Sequence, residues 1–255
     1  MKFYWIAIKT IWLKEVQRFT KIWIQTLLPS VVTVSLYFII FGKLIGERIG
    51  NMDGISYINF IVPGLIMNSV ITNSYINVCS SFFGAKFQRS IEELLISPIP
   101  TYVIVVGYIG GGVFRGISVA ILVTSVSRIF VNFQIYSFTI VTSIILMTSI
   151  LFSLAGLTNA IFAKTFDDIS IIPTFILTPL TYFGGVFYSL SLLPKNWQFI
   201  SKFNPIVYMI DGLRYGFLGI GEISLYRTIS ILVIFTVLLY LLNWILIKKI
   251  QKLRI

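Results

Sequence analysis

The chain has no histidine and a single cysteine, Cys79, in 255 residues. Without histidine there is no imidazole for acid–base work, no Ser–His–Asp relay and no ordinary zinc or haem ligation. One cysteine excludes an internal disulfide and any cysteine-cluster metal site. Charge is scarce as well: 11% of residues are charged, against about 25% in a soluble domain. Only nine residues are Asp or Glu, and the adjacent pair Glu92 and Glu93 points about 100° apart on a helix, so it does not converge on a substrate. No GxxxxGK[ST] run is present to cradle a nucleotide phosphate. A catalytic residue, a metal site and a bound cofactor are therefore not expected.

Apolar side chains fill the space that charge leaves. Hydrophobic residues make up 57% of the chain and aromatics 16%, with a mean hydropathy of +0.93. That composition excludes a disordered chain and a water-soluble surface alike. A spanning helix needs roughly 20 apolar residues. Six runs meet that need, near 22–42, 57–80, 101–125, 136–162, 169–190 and 226–247. The expected fold is all-α and integral to the membrane, one domain over 1–255.

The net charge of +11 then reads as topology. With the N-terminus inside, twelve of the 20 Lys and Arg face the cytoplasm, including the terminal Arg254, and seven face out. Both termini are expected to be cytoplasmic. The basic residues flank spans rather than forming one patch, which argues against nucleic acid as a partner. Residues 1–21 carry five cations, with Trp5, Ile8, Trp12, Val16, Phe19 and Trp23 along one helical face. That pattern predicts a helix lying in the membrane surface, among lipids.

Two connections are more than turns. The segment 82–100 places Phe87, Ile91, Leu94 and Leu95 on one helical face, with Lys86, Arg89, Glu92 and Glu93 largely elsewhere. Pro98 and Pro100 end it, giving a short amphipathic cytoplasmic helix. The segment 191–225 lies outside, with Asn204 as N-cap, Pro205 at the first helical position, and Asp211 and Arg214 spaced to pair. Asp167 and Asp168 sit in a polar turn that caps the fifth run. Pro173 and Pro179 should bend that run.

Arg115, near the middle of the third run, is the clear exception to charges lying in loops or at span ends, which makes it the intramembrane candidate. Around it, Gly107/Gly111 and Gly112/Gly116 have small-xxx-small spacing, suited to close packing within one subunit. A single intramembrane cation also gives little to an ion-gradient-driven secondary transporter, the alternative transport mechanism.

Three segments, KFQRSIEELLISPIP at 86–100, LAGLTNAIFAKTFDDIS at 154–170 and FNPIVYMIDGLRYGFLG at 203–219, together resemble the permease subunits of type-2 ATP-binding-cassette transporters. Their order and spacing match along essentially the whole chain, and the nearest look is of bacterial inner-membrane permeases of uncharacterised export systems. Many relatives have Gly-Thr where this chain has Ser90 and Ile91. The resemblance implies that 86–96 is a coupling helix docking on a separate cytoplasmic ATPase, with Arg89, Glu92, Glu93, Leu94 and Leu95 at the contact. It implies a connecting helix at 1–21 and re-entrant outer helices at 191–225 carrying Asn204, Pro205, Asp211 and Arg214. Two permease chains would face two ATPase chains. ATP would be spent by the partner, to export an amphipathic drug, lipid or lipid-linked glycan.

Overall fold

The computed structural model describes residues 2–52 and 54–253; Arg254 and the extreme ends of the expected domain lie outside them. Helix α1, Lys2–Lys21, passes through one turn at Ile22 into α2, Trp23–Tyr37. A wider π-helical stretch, Phe38–Ile45, and the short α3, Gly46–Ile49, continue the same course. A two-stranded hairpin follows, β1 Asn51–Met52 paired antiparallel with β2 Ile55–Ser56, with Asn51 opposite Ser56. Then come α4 Tyr57–Phe87, α5 Ser90–Ile96, α6 Thr101–Phe130 and α7 Phe138–Phe162. The chain closes with α8 Phe166–Ile172, a π turn over Pro173–Leu177, α9 Thr178–Phe183, a 3-10 turn at Leu190–Leu192, α10 Lys195–Ser201, α11 Pro205–Leu218 and α12 Leu225–Leu253.

Helix runs through most of each apolar run, but in the fifth it stops at Phe183, leaving 184–189 as turn and bend. Among the described residues, four helical stretches are long and apolar enough to cross a membrane: Trp23–Gly42, Thr101–Phe130, Phe138–Phe162 and Leu225–Lys252. Helix α4 is long but polar in places. It is the axis of the bundle, with 21 of its 31 residues buried, and α6, α7 and α11 pack around it. The fifth run widens into a π turn where Pro173 enters, and Gly184 and Gly185 end it, the latter at φ +82°.

Burial separates inner from outer helices. The apolar windows of α6 and α7 are each 61% buried by the chain itself, whereas those of α2 and α12 are 17% and 11% buried. A helix apolar all round has to be covered by protein or by lipid. The uncovered faces of α2, with Ile24, Leu28 and Val32, and of α12, with Ile234, Leu238 and Ile245, are thus left to the bilayer or to another chain.

Three sequence expectations need correction. The helix over 82–100 is two helices. Its first residues finish α4, and Arg89 breaks the run at φ +60°, the one non-glycine residue with positive φ among those described. Phe87 therefore leaves the Ile91–Leu95 face, is 64% exposed and meets Phe166 instead. In α1 the buried stripe is Ile11, Glu15 and Phe19, while Trp5 and Trp12 stay exposed. The reason is glycine: Ile11 sits on Gly107 and Glu15 on Gly111, so the helix turns its slimmer face inward. The third correction, at Asp211 and Arg214, is given below.

Candidate functional site

Three places gather the singled-out residues. At the end of α4, Lys86 Nζ donates to the carbonyls of Ile161 (2.8 Å) and Ala163 (2.7 Å), acceptors that the end of α7 leaves free. The Phe166 ring packs edge-on to Phe83 and Phe87. Helix α8 begins beside them in a reciprocal capping box: the Asp168 amide donates to Thr165 Oγ1, and the Asp168 carboxylate accepts from the Lys164 and Thr165 amides. Those amides hold the Asp168 carboxyl below the usual carboxylate range. The expected polar turn is present, with Thr165 rather than an aspartate as the cap.

On this corner stands α5. Ile91 and Leu95 are buried and Leu94 packs partly against the core, while Arg89 and Glu93 are exposed. Glu92 is partly covered. The helix leans on α4 and α12, and Thr101 Oγ1 ties the segment after it to Gln251 of α12 at 2.6 Å. Two buried aliphatics pin seven residues and leave Glu93 on the exposed side.

The second place is a polar seam where α1, α2, α4 and α6 meet. Arg115, 7% exposed, donates from Nε and Nη2 to Asn73 Oδ1 and from Nη2 to the Thr26 carbonyl. Asn73 passes the connection on to Ser30 Oγ at 2.8 Å. One helical turn along α4, Asn77 accepts from Arg18 through both its backbone and side-chain oxygens. Glu15 is 1% exposed; it takes the Ser81 hydroxyl and lies 3.4 Å from Arg18. Burial pushes the Glu15 carboxyl up, and the Arg18 guanidinium opposes that.

The seam changes the setting of Arg115. Contacts run from Tyr4 on Tyr102 through Ile11 on Gly107 to Phe19 on Phe114. Helix α1 thus climbs alongside the first half of α6, and Arg115 is level with Thr26, in the first turn of α2. Gly112 and Gly116 face the other way, where a Cβ would overlap Ser153 and Val78, or Ser74 and Ser149. Both glycine pairs pack inside one subunit.

The third place joins the ends of α9, α11 and α4. Asn204 caps α11 by accepting from the Ile206 amide at 3.0 Å, and its own amide donates to the Leu180 carbonyl. Asp211 and Arg214 do not bond each other. The Asp211 carboxylate accepts from the amides of Glu222 (2.9 Å) and Ile223 (3.0 Å), fixing the turn into α12. Arg214 donates to the Gly185 carbonyl at 2.7 Å and lies 3.8 Å over the Phe60 ring. Both side chains are buried, so each is spent on holding a loop rather than its neighbour. Helix α11 is sunk against α7, α4 and α12.

The seam residues beyond Arg115 carried a signal in the sequence. Glu15 is the sole carboxylate among five cations in 1–21, and Ser69, Asn73 and Asn77 recur every fourth residue through an apolar run. A polar stripe of that period marks one helix face.

The described residues form an all-α bundle with buried polar seams, a pinned amphipathic elbow and four helices long and apolar enough to cross a membrane, the build of a multi-pass membrane protein. The chain belongs to the ABC-2 type transporter family, which it matches over residues 6–218. It is 63% identical over 254 residues to the inner membrane transport permease YadH of Escherichia coli K12, across 100% of this chain and 99% of that protein. Nodulation protein J of Rhizobium leguminosarum bv. viciae is 23% identical over 250 residues, 96% of this chain and 94% of that protein. Nodulation protein J of Rhizobium meliloti is 22% identical over 216 residues, 84% and 81% respectively.

Proposed function

We propose that this chain is the membrane-spanning subunit of an ATP-driven exporter in a bacterial inner membrane. It works as two permease copies on two copies of a separate ATPase. The observation that carries the reading is α5: a short helix held by Ile91 and Leu95 on the ends of α4 and α12, with Arg89 and Glu93 exposed. A rigid lever of this kind passes a push from a partner to the spans it is welded to. Family membership and the name of the 63% identical relative, an inner membrane transport permease, support transport and the inner membrane.

In this reading the six helical runs are six crossings with both termini inside. Helix α1 is the connecting helix, and α10 and α11 re-enter from the outer side. The substrate is amphipathic, since the bundle offers aromatics and few unpaired charges. The two chains meet through faces that a single copy leaves uncovered.

The test is a gentle-detergent pull-down of the tagged chain from its native membrane, with the bound proteins assayed for ATP hydrolysis. We expect an ATPase in equimolar amount, lost in Arg89→Glu/Glu93→Lys while membrane insertion is retained. A chain that purifies alone and transports under an ion gradient would overturn the reading.

A further inference from the structure

The second half of α6 carries a groove that the transport reading does not use. Ile117, Ile121 and Arg128 follow one helical stripe, and Val141 and Ile145 answer from α7, around a cavity of about 430 Å3. That is the size of a small-molecule site. From Ile117 to Arg128 the stripe rises roughly 16 Å. This is about half of a ~30 Å hydrocarbon core, the depth of one leaflet.

The groove is mostly apolar, with Thr124, Ser125 and Thr142 among its lining, and cationic at one end. Arg128 belongs both to it and to an adjoining polar hollow of about 510 Å3 that includes Asn132 and Gln134. The guanidinium lies 5.8 Å over the Phe133 ring. Among the described residues no carboxylate pairs with it. The mouth is built rather than loose. The extended segment 131–137 is tied to α11 where the amides of Tyr136 and Ser137 donate to the carbonyls of Phe217 (3.1 Å) and Gly216 (2.9 Å), and Phe133 packs on Phe217 at 5.5 Å between ring centres.

We propose that this groove holds one acyl chain of an anionic glycerophospholipid, with the lipid phosphate on Arg128. An acyl chain matches the length and lining of the groove, and a phosphate supplies the charge that Arg128 lacks. A charge near a membrane surface is worth about fivefold in affinity for an anionic lipid. The site lies on α6 and α7, away from α5, so it does not depend on the ATPase.

Native mass spectrometry of the purified full chain, titrated with phosphatidylglycerol and with phosphatidylcholine of the same acyl chains, tests it. We expect phosphatidylglycerol to bind about fivefold more tightly. Arg128→Gln should bring the two lipids within twofold, while Arg227→Gln, an exposed cation elsewhere, leaves the preference intact. Ser125→Phe and Thr142→Phe, both at exposed groove positions, should weaken both lipids at least threefold. Equal loss of preference in Arg128→Gln and Arg227→Gln would mean a general cationic belt and sink the proposal. So would unchanged binding in both filling variants, or glycerol 3-phosphate alone competing at lipid concentrations.

Discussion

The two halves of α6 are built on opposite plans. Up to Gly116 it is closed: glycines admit α1 on one side and α4 with α7 on the other, and Arg115 ends the stretch inside a hydrogen-bonded net. Beyond Gly116 it opens, with Ile121 at 62% and Ile129 at 80% exposed. The same helix is a weld at one end and a wall at the other. In a bilayer, apolar contact between helices gains little over lipid, so close backbone approach and interhelical hydrogen bonds must do the joining. The closed half has both.

Adding equal bulk to the two halves exposes the difference most strongly. Gly116→Leu places carbon where Ser74 and Ser149 already stand, and overpacking of that kind costs about 1–3 kcal/mol or more. We expect the variant to lose most of its monodisperse yield. Ser125→Leu, nine residues on and exposed, should unfold within a degree or two of the parent. Similar melting points for the two would remove the contrast.

The seam can also be broken without changing bulk. Asn73→Ala strips Arg115 of the acceptor for two of its donors, and a buried group left unsatisfied costs about 1–3 kcal/mol. Arg115→Met in the same chain should return part of that loss, because the orphaned charge goes with it. A double-mutant cycle on thermal stability reads the coupling. Strict additivity would mean that the two side chains do not act together.

How far the sequence carried is visible at these same residues. Long apolar runs set the helices, because period and length are local properties. Asn204 with Pro205 announced the start of α11 for the same reason, and the structure has that cap. The Gly107–Gly116 spacing foretold close packing, though not which helix would fill each side. What stayed hidden was partnership. Asp211 and Arg214 have the spacing of an ion pair, yet backbone amides and a carbonyl brought from distant loops claim them first. The break at Arg89 was equally unreadable, since nothing in QRSIEE favours left-handed backbone. The groove beside Arg128 needs two helices and the 131–137 segment at once, which no single window of sequence displays.

The elbow separates stability from coupling in a smaller effect. At φ +60° an arginine backbone is strained by about 1–2 kcal/mol, and glycine relieves this at the cost of about 1 kcal/mol in chain entropy. Arg89→Gly should therefore melt at or slightly above the parent, yet bind the ATPase less well if the guanidinium meets it. Arg89→Lys keeps the charge and the strain, and should keep the association. If Arg89→Gly binds as tightly as the parent, Arg89 serves the bend alone.

The smallest effect is at the capping box of α8, which abuts Phe83 and Phe87 through Phe166. Its sign follows from the lowered carboxyl. A carboxyl held down in the folded chain stabilises it above the ordinary carboxylate pKa of about 3.9, and that contribution is lost as pH falls through the folded value. Melting temperature should fall on acidification below about pH 5. In Asp168→Asn, which keeps an acceptor but not the charge, this part of the acid slope should flatten. Asp168 is only partly covered at the surface, so water screens the difference to a small shift. It is still informative, because the closed half of α6 contains no exposed carboxylate: an equal flattening in Asn73→Ala would place the acid sensitivity in the seam and not at the cap.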